Sequence, residues 1–414
     1  MNILEIIEKK KNKCPLQHEE INYFVSEYTR GNIPDYQMSA LLMAITINGL
    51  TKKETYYLTK AMTMNSKRLF TRSVSKFVDK HSTGGIGDKL TMICIPIVAS
   101  VGVPIIKMSG RGLGYAGGTV DKLESIPGFS TGISSKEIKK LFTTNGVCLC
   151  SNKNVKSDEK IYQLRDVTGT IESIPLIASS IMSKKIVTGC YGVVIDIKIG
   201  KGALIKTQCQ ANNLADYMIY IAEKENIKIK IHFSIMNEPL GYGIGNAIEV
   251  IEAINVLQNK RIDDVVNSSL EISANMCEIY GCGDYDYCYN ICKNSLESGK
   301  AFIVFKNIIE AQGGDIADIT YEKILCDQNE YSIISPKSGL VRSINSENIG
   351  KASLYLGAGR IHKNDNIDSK AGIILSKKIG DTVAEREIIA RIYYSRAITL
   401  DTLIQYVTDA YEIN

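Results

Sequence analysis

Three short stretches of the chain gather residues able to grip an anion or polarise a ring. The first is Lys80-His81-Ser82-Thr83-Gly84-Gly85-Ile86-Gly87-Asp88, which packs a cation, an imidazole, two hydroxyls and three glycines into one turn. Glycine lets backbone N–H groups approach a ligand closely and adopt positive φ. A helix beginning near Lys89 would aim its first N–H groups at the same spot. With the lysine, these parts make a phosphate cradle, and a merely polar surface turn is the plainer alternative for this stretch alone. The second runs from Ser109-Gly110-Arg111-Gly112 to Gly117-Gly118-Thr119, after the strand-like VPIIKM and before the helix-like TVDKLES. Strand, glycine loop and helix again form anion-binding geometry. Its GLGYAG fits the dinucleotide pattern GxGxxG, but residues 126–136 contain no Asp or Glu, which argues against a nicotinamide enzyme. No GxxxxGK[ST] occurs, so nucleotide hydrolysis through a P-loop is not expected. Two loops rich in Ser and Thr suit one small free anion held from several sides, and phosphate fits.

The third stretch is Tyr162-Gln163-Leu164-Arg165-Asp166-Val167-Thr168, continued by Ser179-Ser180-Ile181-Met182-Ser183-Lys184-Lys185. Ser180 and Lys184 are four apart and share a helix face. Arginine and lysine only donate, so Arg165, Ser180 and Lys184 converging on a ring would suit its carbonyl oxygens. A salt-bridged helical face is the alternative.

The surrounding pattern says what must position these stretches. A chain of 414 residues exceeds one ordinary core, so two or three domains are expected. QHEEINYFVSEYTRG and YQMSALLMAITINGL carry apolar residues at helical spacing and end at glycine. Beyond Arg72 the character changes, and residues 90–106 and 191–199 hold β-branched, strand-like runs. Strands alternating with helical stretches predict an α/β sheet. The pattern from about 155 to 187 is helical again and could rejoin the first helices. After about 330, SPKSGLVRSIN, AGIILSKKIGDTV and REIIARIYYS read as short strands divided by turns. The expected fold class is α/β: a small all-helical domain, 1–66 with 155–187, a large mixed α/β domain, 67–154 with 188–330, and a C-terminal α+β part, 331–414.

Composition excludes several classes. A net charge of +4 without a basic stripe argues against nucleic-acid binding. The longest nearly uncharged stretch, Ile93 to Ile106, holds two prolines and is too short to span a bilayer. The N-terminus MNILEIIEKKKNK has no secretory signal pattern, so no membrane partner and a cytoplasmic location are expected. The 11 cysteines suit reduced thiols. Cys277, Cys282, Cys288 and Cys292 cluster without a CxxC or a nearby histidine, which disfavours zinc.

KHSTGGIGD, SGRGLGYAGGTVDKLESIPGF and YQLRDVTGTIESIPLIASSIMSKK together resemble the thymidine and pyrimidine-nucleoside phosphorylase family. MNEPLGYGIGNAIEVIEAI, LGAGR and KKIGD extend the resemblance over nearly the whole chain, in the family's order. The resemblance implies a helical and an α/β lobe with the active site in the cleft between them, and a homodimer through the helical domain. It implies reversible phosphorolysis of uridine, thymidine or deoxyuridine to the base and a (deoxy)ribose 1-phosphate, with no organic cofactor. Phosphate, the co-substrate, falls to Lys80, Ser82, Thr91, Ser109 and Thr119. The pyrimidine falls to His81, Arg165, Ser180 and Lys184, with Tyr162 beside the ring. Catalysis falls to Arg165, Lys184 and His81, the last either donating a proton to a base oxygen or hydrogen-bonding it.

The chain departs from the family pattern in places. Tyr115-Ala116 stand where His-Thr is usual, and the family's GSGA is here Gly200-Lys201-Gly202-Ala203. The resemblance also implies a potassium ion at the positions of Gly87, Lys89, Leu240, Gly243 and Glu252, where a small hydroxyl residue is usual in place of Lys89. Either the Lys89 ammonium replaces the ion beside Glu252, or Lys89 points to solvent and offers only its carbonyl. Lys107, before Met108, resembles the broader pyrimidine-nucleoside enzymes more than strict thymidine phosphorylases. A strict thymidine phosphorylase and a catalytically weakened nucleoside-binding relative are the alternatives. Anthranilate phosphoribosyltransferase would need magnesium-pyrophosphate motifs that are missing, and AMP phosphorylase an extra N-terminal domain.

Overall fold

The computed structural model describes residues 1–64, 66, 68–70, 76–112, 117–260, 262–317, 319–360, 365–395 and 399–414. Tyr115 and Ala116 lie outside the described residues.

Four helices open the chain: α1 (Ile3–Lys11), α2 (His18–Arg30), α3 (Asp35–Asn48) and α4 (Lys52–Thr63). Their starts are written locally. Thr51 accepts from the Glu54 N–H while the Glu54 carboxylate accepts from the Thr51 N–H, a reciprocal cap on α4. The same carboxylate accepts from the Leu16 N–H and pairs with buried Lys10, so one residue caps a helix and ties it to α1. The apolar faces enclose a core of Ile21, Phe24, Leu41, Ile45 and Leu58. Ile161 and Leu164 of α8 (Lys156–Asp166) and Leu176 of α9 (Ile174–Thr188) belong to that core. Further along α9, Ile177, Ala178, Ile181 and Met182 pack into a different core, beneath the sheet.

That sheet has five strands in the order β3-β2-β1-β4-β5: β1 (Val78–Ser82), β2 (Ile105–Ser109), β3 (Val147–Ser151), β4 (Gly192–Ile199) and β5 (Lys228–Ile235). Every pairing is parallel. Helices therefore cover both faces. On one lie α5 (Leu90–Ser100), α11 (Asn246–Leu257) and α12 (Asp263–Tyr280). On the other lie α7 (Ser135–Asn145), α9 and α10 (Gln208–Lys224). The short α6 (Thr119–Leu123) follows the second glycine loop. Alternation along β1 separates two chemistries. Phe77, Asp79 and His81 face α9, whereas Val78 and Lys80 face α5.

One expectation fails here. Residues 90–100, read as strand-like, form α5, and only Ile105–Ser109 is a strand. Every residue from Leu90 to Val98 is buried, so the helix shows no apolar stripe against a polar one, and Pro96 sits inside it. Ile- and Val-rich sequence buried on all sides carries no period by which helix and strand differ.

The C-terminal segment adds the sheet β6-β9-β11-β7 and the three-stranded β10-β8-β12. Their strands are β6 (Gly243–Gly245), β7 (Asn329–Ile334), β8 (Gly339–Ile344), β9 (Gly372–Leu375), β10 (Thr382–Val383), β11 (Ile388–Tyr394) and β12 (Tyr411–Ile413). The core they share admits Ile86 and Ile244, which fastens it to the first glycine turn. Among the described residues no helix is long and apolar enough to cross a membrane.

Candidate active site

A cavity of about 250 Å³ opens at the carboxyl ends of β1 and β2, between the sheet and the helices α8 and α9. Its wall includes His81, Ser82, Thr91, Ser109, Thr119, Tyr162, Arg165, Ser180 and Lys184, so one space unites all three stretches singled out in the sequence. Carboxyl ends of parallel strands are where open α/β sheets bind ligands.

On the sheet side, β1 and β2 pair with Val78 opposite Ile105, and continuing that register sets Ser82 beside Ser109. Ser109 is buried and its Oγ has no hydrogen-bond partner. Ser82 Oγ accepts from the Gly84 N–H at 3.1 Å, so the turn is braced by its own hydroxyl. Lys89 is the N-cap of α5, and Thr91 stands in its first turn. The glycine loop closes on itself, since a Cβ at Gly118 would run into the backbone of Arg111 and Gly112. Arg111 pairs with Asp121 at 2.9 Å and Glu124 at 2.8 Å, and Asp121 also accepts from the Gly112 N–H at 2.8 Å.

Lys80 does not line the cavity, contrary to the expectation of direct anion contact. Its position in β1 sends the side chain toward α5, where Nζ stands 3.4 Å from Thr91 Oγ1 and 3.6 Å from Asp196. Burial opposes its charge, but Asp88 and Asp196 outweigh that and hold the ammonium above its ordinary range. Lys198 shares Asp196 at 2.8 Å, and Ser234 donates to the same carboxylate at 2.5 Å. A charge therefore stands directly behind the Thr91 hydroxyl.

On the helical side, Arg165 is buried and donates from Nε to the Thr170 carbonyl, from Nη1 to that of Leu176 and from Nη2 to that of Ile171, at 3.2, 3.1 and 2.7 Å. A guanidinium has five N–H donors, so the fork pins the turn before α9 and keeps donors in reserve. Burial lowers its pKa to about 10. Lys184 donates to Ser180 Oγ at 2.9 Å and the Ser180 carbonyl at 2.8 Å, and pairs with buried Asp158 at 2.6 Å. Burial moves its pKa down, against the pull of Asp158. Lys184 Nζ also lies 5.5 Å from the centre of the Tyr162 ring. The Tyr162 hydroxyl reaches the Arg111 carbonyl at 3.4 Å, so the helical wall touches the glycine loop.

Between the walls stand His81 and Lys107, both on the cavity surface. Burial first, then Lys185, Lys107, Lys184 and Lys80, hold the imidazole well below its ordinary range. His81 is therefore neutral at pH 7, and its buried Nδ1 has no hydrogen-bond partner. Burial and then Lys185 push Lys107 down to about 7. Neighbouring Lys185 turns away from the cavity and pairs with Asp79 of β1 at 2.6 Å, both fully buried.

Sequence reasoning missed the acids. Asp88 lines the cavity, and although burial favours its neutral form, Lys80, Lys198 and Lys122 hold it well below the carboxylate range. Asp158 and Asp196 sit behind Lys184 and Lys80. Only their proximity in space marks them. Of the substituted Gly200–Ala203 turn, Lys201 is exposed while Gly202 and Ala203 line the cavity. Cys277 and Cys292 face each other at 3.6 Å inside helices, and no metal-holding cluster of His, Cys, Asp or Glu occurs among the described residues.

The potassium ion implied at Gly87, Lys89, Leu240, Gly243 and Glu252 does not fit these residues. The Lys89 side chain turns inward, not to solvent, and its Nζ donates to the Leu240 carbonyl at 2.8 Å and the Gly243 carbonyl at 2.9 Å, and pairs with Glu252. Gly87, at φ +79°, packs so closely that a Cβ there would collide with the Leu240 carbonyl.

A helical bundle, a parallel sheet and a polar cavity between them, taken with the family models that the chain matches, mark a glycosyl transferase. Residues 4–65 match the family described as "Glycosyl transferase family, helical bundle domain", and residues 74–302 match "Glycosyl transferase family, a/b domain". Residues 340–414 match "Pyrimidine nucleoside phosphorylase C-terminal domain". The chain is 42% identical over 420 residues to the pyrimidine-nucleoside phosphorylase of Staphylococcus haemolyticus, covering 100% of this chain and 96% of that one. Against the pyrimidine-nucleoside phosphorylase of Geobacillus stearothermophilus it is 42% identical over 402 residues, covering 96% and 93%. The fold is also that of anthranilate phosphoribosyltransferase from Thermus thermophilus, with a TM-score of 0.61 at 13% identity over 74% of this chain and 99% of that one. The chain belongs to the pyrimidine-nucleoside phosphorylase family.

Proposed function

We propose that the protein cleaves pyrimidine nucleosides with inorganic phosphate, giving the free base and a sugar 1-phosphate. The observation that carries this is the single cavity with short hydroxyl donors on its sheet side and buried cations on its helical side. In this reading phosphate meets Ser82, Thr91, Ser109 and Thr119, with the Lys80 charge acting through Thr91. The pyrimidine lies against Tyr162, and its oxygens and ring nitrogen meet Arg165, Ser180, Lys184 and His81.

As the glycosidic bond stretches, the sugar becomes oxocarbenium-like and negative charge grows on the departing base. Arg165 and Lys184, held by their own partners, stabilise that charge without reorganising. His81, which burial and the surrounding lysines hold toward its neutral form, meets a base oxygen with a hydrogen bond. Phosphate attacks the anomeric carbon from the opposite side, so the sugar inverts. No covalent enzyme intermediate is required, and the largest contribution is positioning.

In the same reading residues 1–66 and 155–187 form the helical domain, 67–154 and 188–330 the α/β domain and 331–414 the C-terminal domain. The protein works as a cytoplasmic homodimer joined through the helical domain, with no organic cofactor. Lys107 supports acceptance of ribosides as well as deoxyribosides. Uridine, thymidine and deoxyuridine incubated with and without phosphate test the proposal. Base release from all three only with phosphate is expected, and release without phosphate, or none, overturns it.

A further inference from the structure

The loop Pro239–Gly243 has its backbone groups satisfied almost entirely by fixed charges. The Leu240 N–H donates to the Ile86 carbonyl at 3.1 Å, and the Gly241 N–H to Asp264 at 2.9 Å. The Tyr242 and Gly243 N–H groups donate to the two oxygens of the Glu252 carboxylate at 2.8 and 3.0 Å. The carbonyls divide between two lysines. Lys378, from the C-terminal segment, takes those of Pro239 and Gly241, the latter at 3.2 Å. Lys89 takes those of Leu240 and Gly243 and also pairs with Glu252.

An ammonium has three N–H donors, and Lys89 places all three on oxygen. The site is closed: Lys89 and Glu252 are both buried, and a Cβ at Gly241 would already lie 2.8 Å from Nζ and 2.6 Å from the carboxylate. A monovalent cation of similar size would need the same oxygens. Two carbonyls and one carboxylate form the oxygen-rich, singly anionic nest that such an ion takes. Lys89 is also the N-cap of α5, between Asp88 and Thr91 of the cavity wall, so whatever fills this nest sets where that wall stands.

We infer that the Lys89 ammonium is a built-in monovalent cation, which makes this chain independent of the potassium its family resemblance implies. It does without a dissociable ion by carrying the charge on a tether. The inference rests on the geometry of the nest, and its main readouts are independent of nucleoside cleavage.

The test compares wild type with Lys89→Ser and Lys89→Thr in potassium-free buffer, replacing choline chloride by potassium chloride at constant ionic strength. Wild type is expected to keep its melting temperature and its phosphate-dependent turnover throughout. Both variants should melt several degrees lower in choline and recover with potassium. Crystals soaked in rubidium chloride should show an anomalous peak between the Leu240, Gly243 and Glu252 oxygens in the variants and none in wild type. Should the variants fail to fold, the wild-type titration and soak still decide. A potassium-dependent rise in wild-type melting temperature or turnover, a rubidium peak in wild type, or folded variants indifferent to potassium overturns the inference.

Discussion

The two walls of the cavity hold their polar groups in opposite ways. On the sheet side the ligand-facing groups are short and lightly held: Ser109 Oγ is buried without a partner, Ser82 Oγ accepts only from the Gly84 N–H of its own turn, and Lys80 stands 3.4 Å behind Thr91. On the helical side the cations are long and already engaged, Arg165 with three carbonyls and Lys184 with Asp158 and Ser180. A strand end presents small side chains at fixed spacing, so a compact anion can be met by hydroxyls at little cost in order. A lysine or arginine has rotamer freedom to lose, about 2 kcal/mol, and protein partners remove it before the ligand arrives. The open wall is built to be completed by its ligand, and the engaged wall is complete without it.

That difference fixes what each variant should do. The largest effect is expected for Arg165→Ala, which removes a donor and frees three buried carbonyls. Its turnover should fall by on the order of 100- to 1000-fold. Its melting temperature should fall as well, because a buried carbonyl left without its donor costs about 1–3 kcal/mol. Wild-type melting in that variant would mean the engaged wall is not self-supporting. Lys184→Ala should match the loss of turnover, and it leaves Asp158 buried without its ammonium, so Lys184→Ala with Asp158→Asn should regain melting temperature but not turnover.

Ser109→Ala is expected to act on the other wall alone. Its cost should appear in KM for phosphate, roughly 10- to 100-fold for one hydrogen bond to a charged group of about 1.5–3 kcal/mol. Its melting temperature should stay at wild type, since the hydroxyl has no partner to lose. A fall in melting temperature comparable to that of Arg165→Ala would erase the contrast.

Lys107 gives an effect on stability alone, with a pH signature. Its ordinary value of 10.5 is pushed down to about 7 in the fold. Between these values the unfolded chain holds a proton that the folded chain lacks, so stability rises with pH across that window. Below about 7 both states hold the proton and the full penalty applies. Lys107→Met lacks this term, so its margin over wild type in melting temperature should shrink as pH rises through the window. A margin constant with pH would show that Lys107 is not depressed.

Much of this was legible in the sequence because glycine, hydroxyl and cation had to be adjacent along the chain to form each loop. KHSTGG and SGRG are local devices, and Ser180 and Lys184 share a face through helical spacing alone. Asp158 and Asp196 are not legible, because a carboxylate that steadies a lysine needs proximity in space only, and Asp88 stands in the first stretch without a role that the sequence alone reveals. The direction of Lys80 is not legible for a related reason: strand alternation, which points its side chain toward Thr91 and α5, depends on where β1 begins. The helix α5 escaped because burial on every side removes the stripe that marks a helix. The sequence leaves two placements open for Lys89, and the fold selects the one beside Glu252 by leaving that side chain no path to solvent.

The Lys185–Asp79 pair has a mechanical consequence. It joins the helix that bears Ser180 and Lys184 to the strand that bears His81, deep beneath both. Pulling these elements apart would strand two opposite charges in an apolar interior. The pair thus fixes the root of the cavity, holding the helix that carries Lys184 against the strand that carries His81.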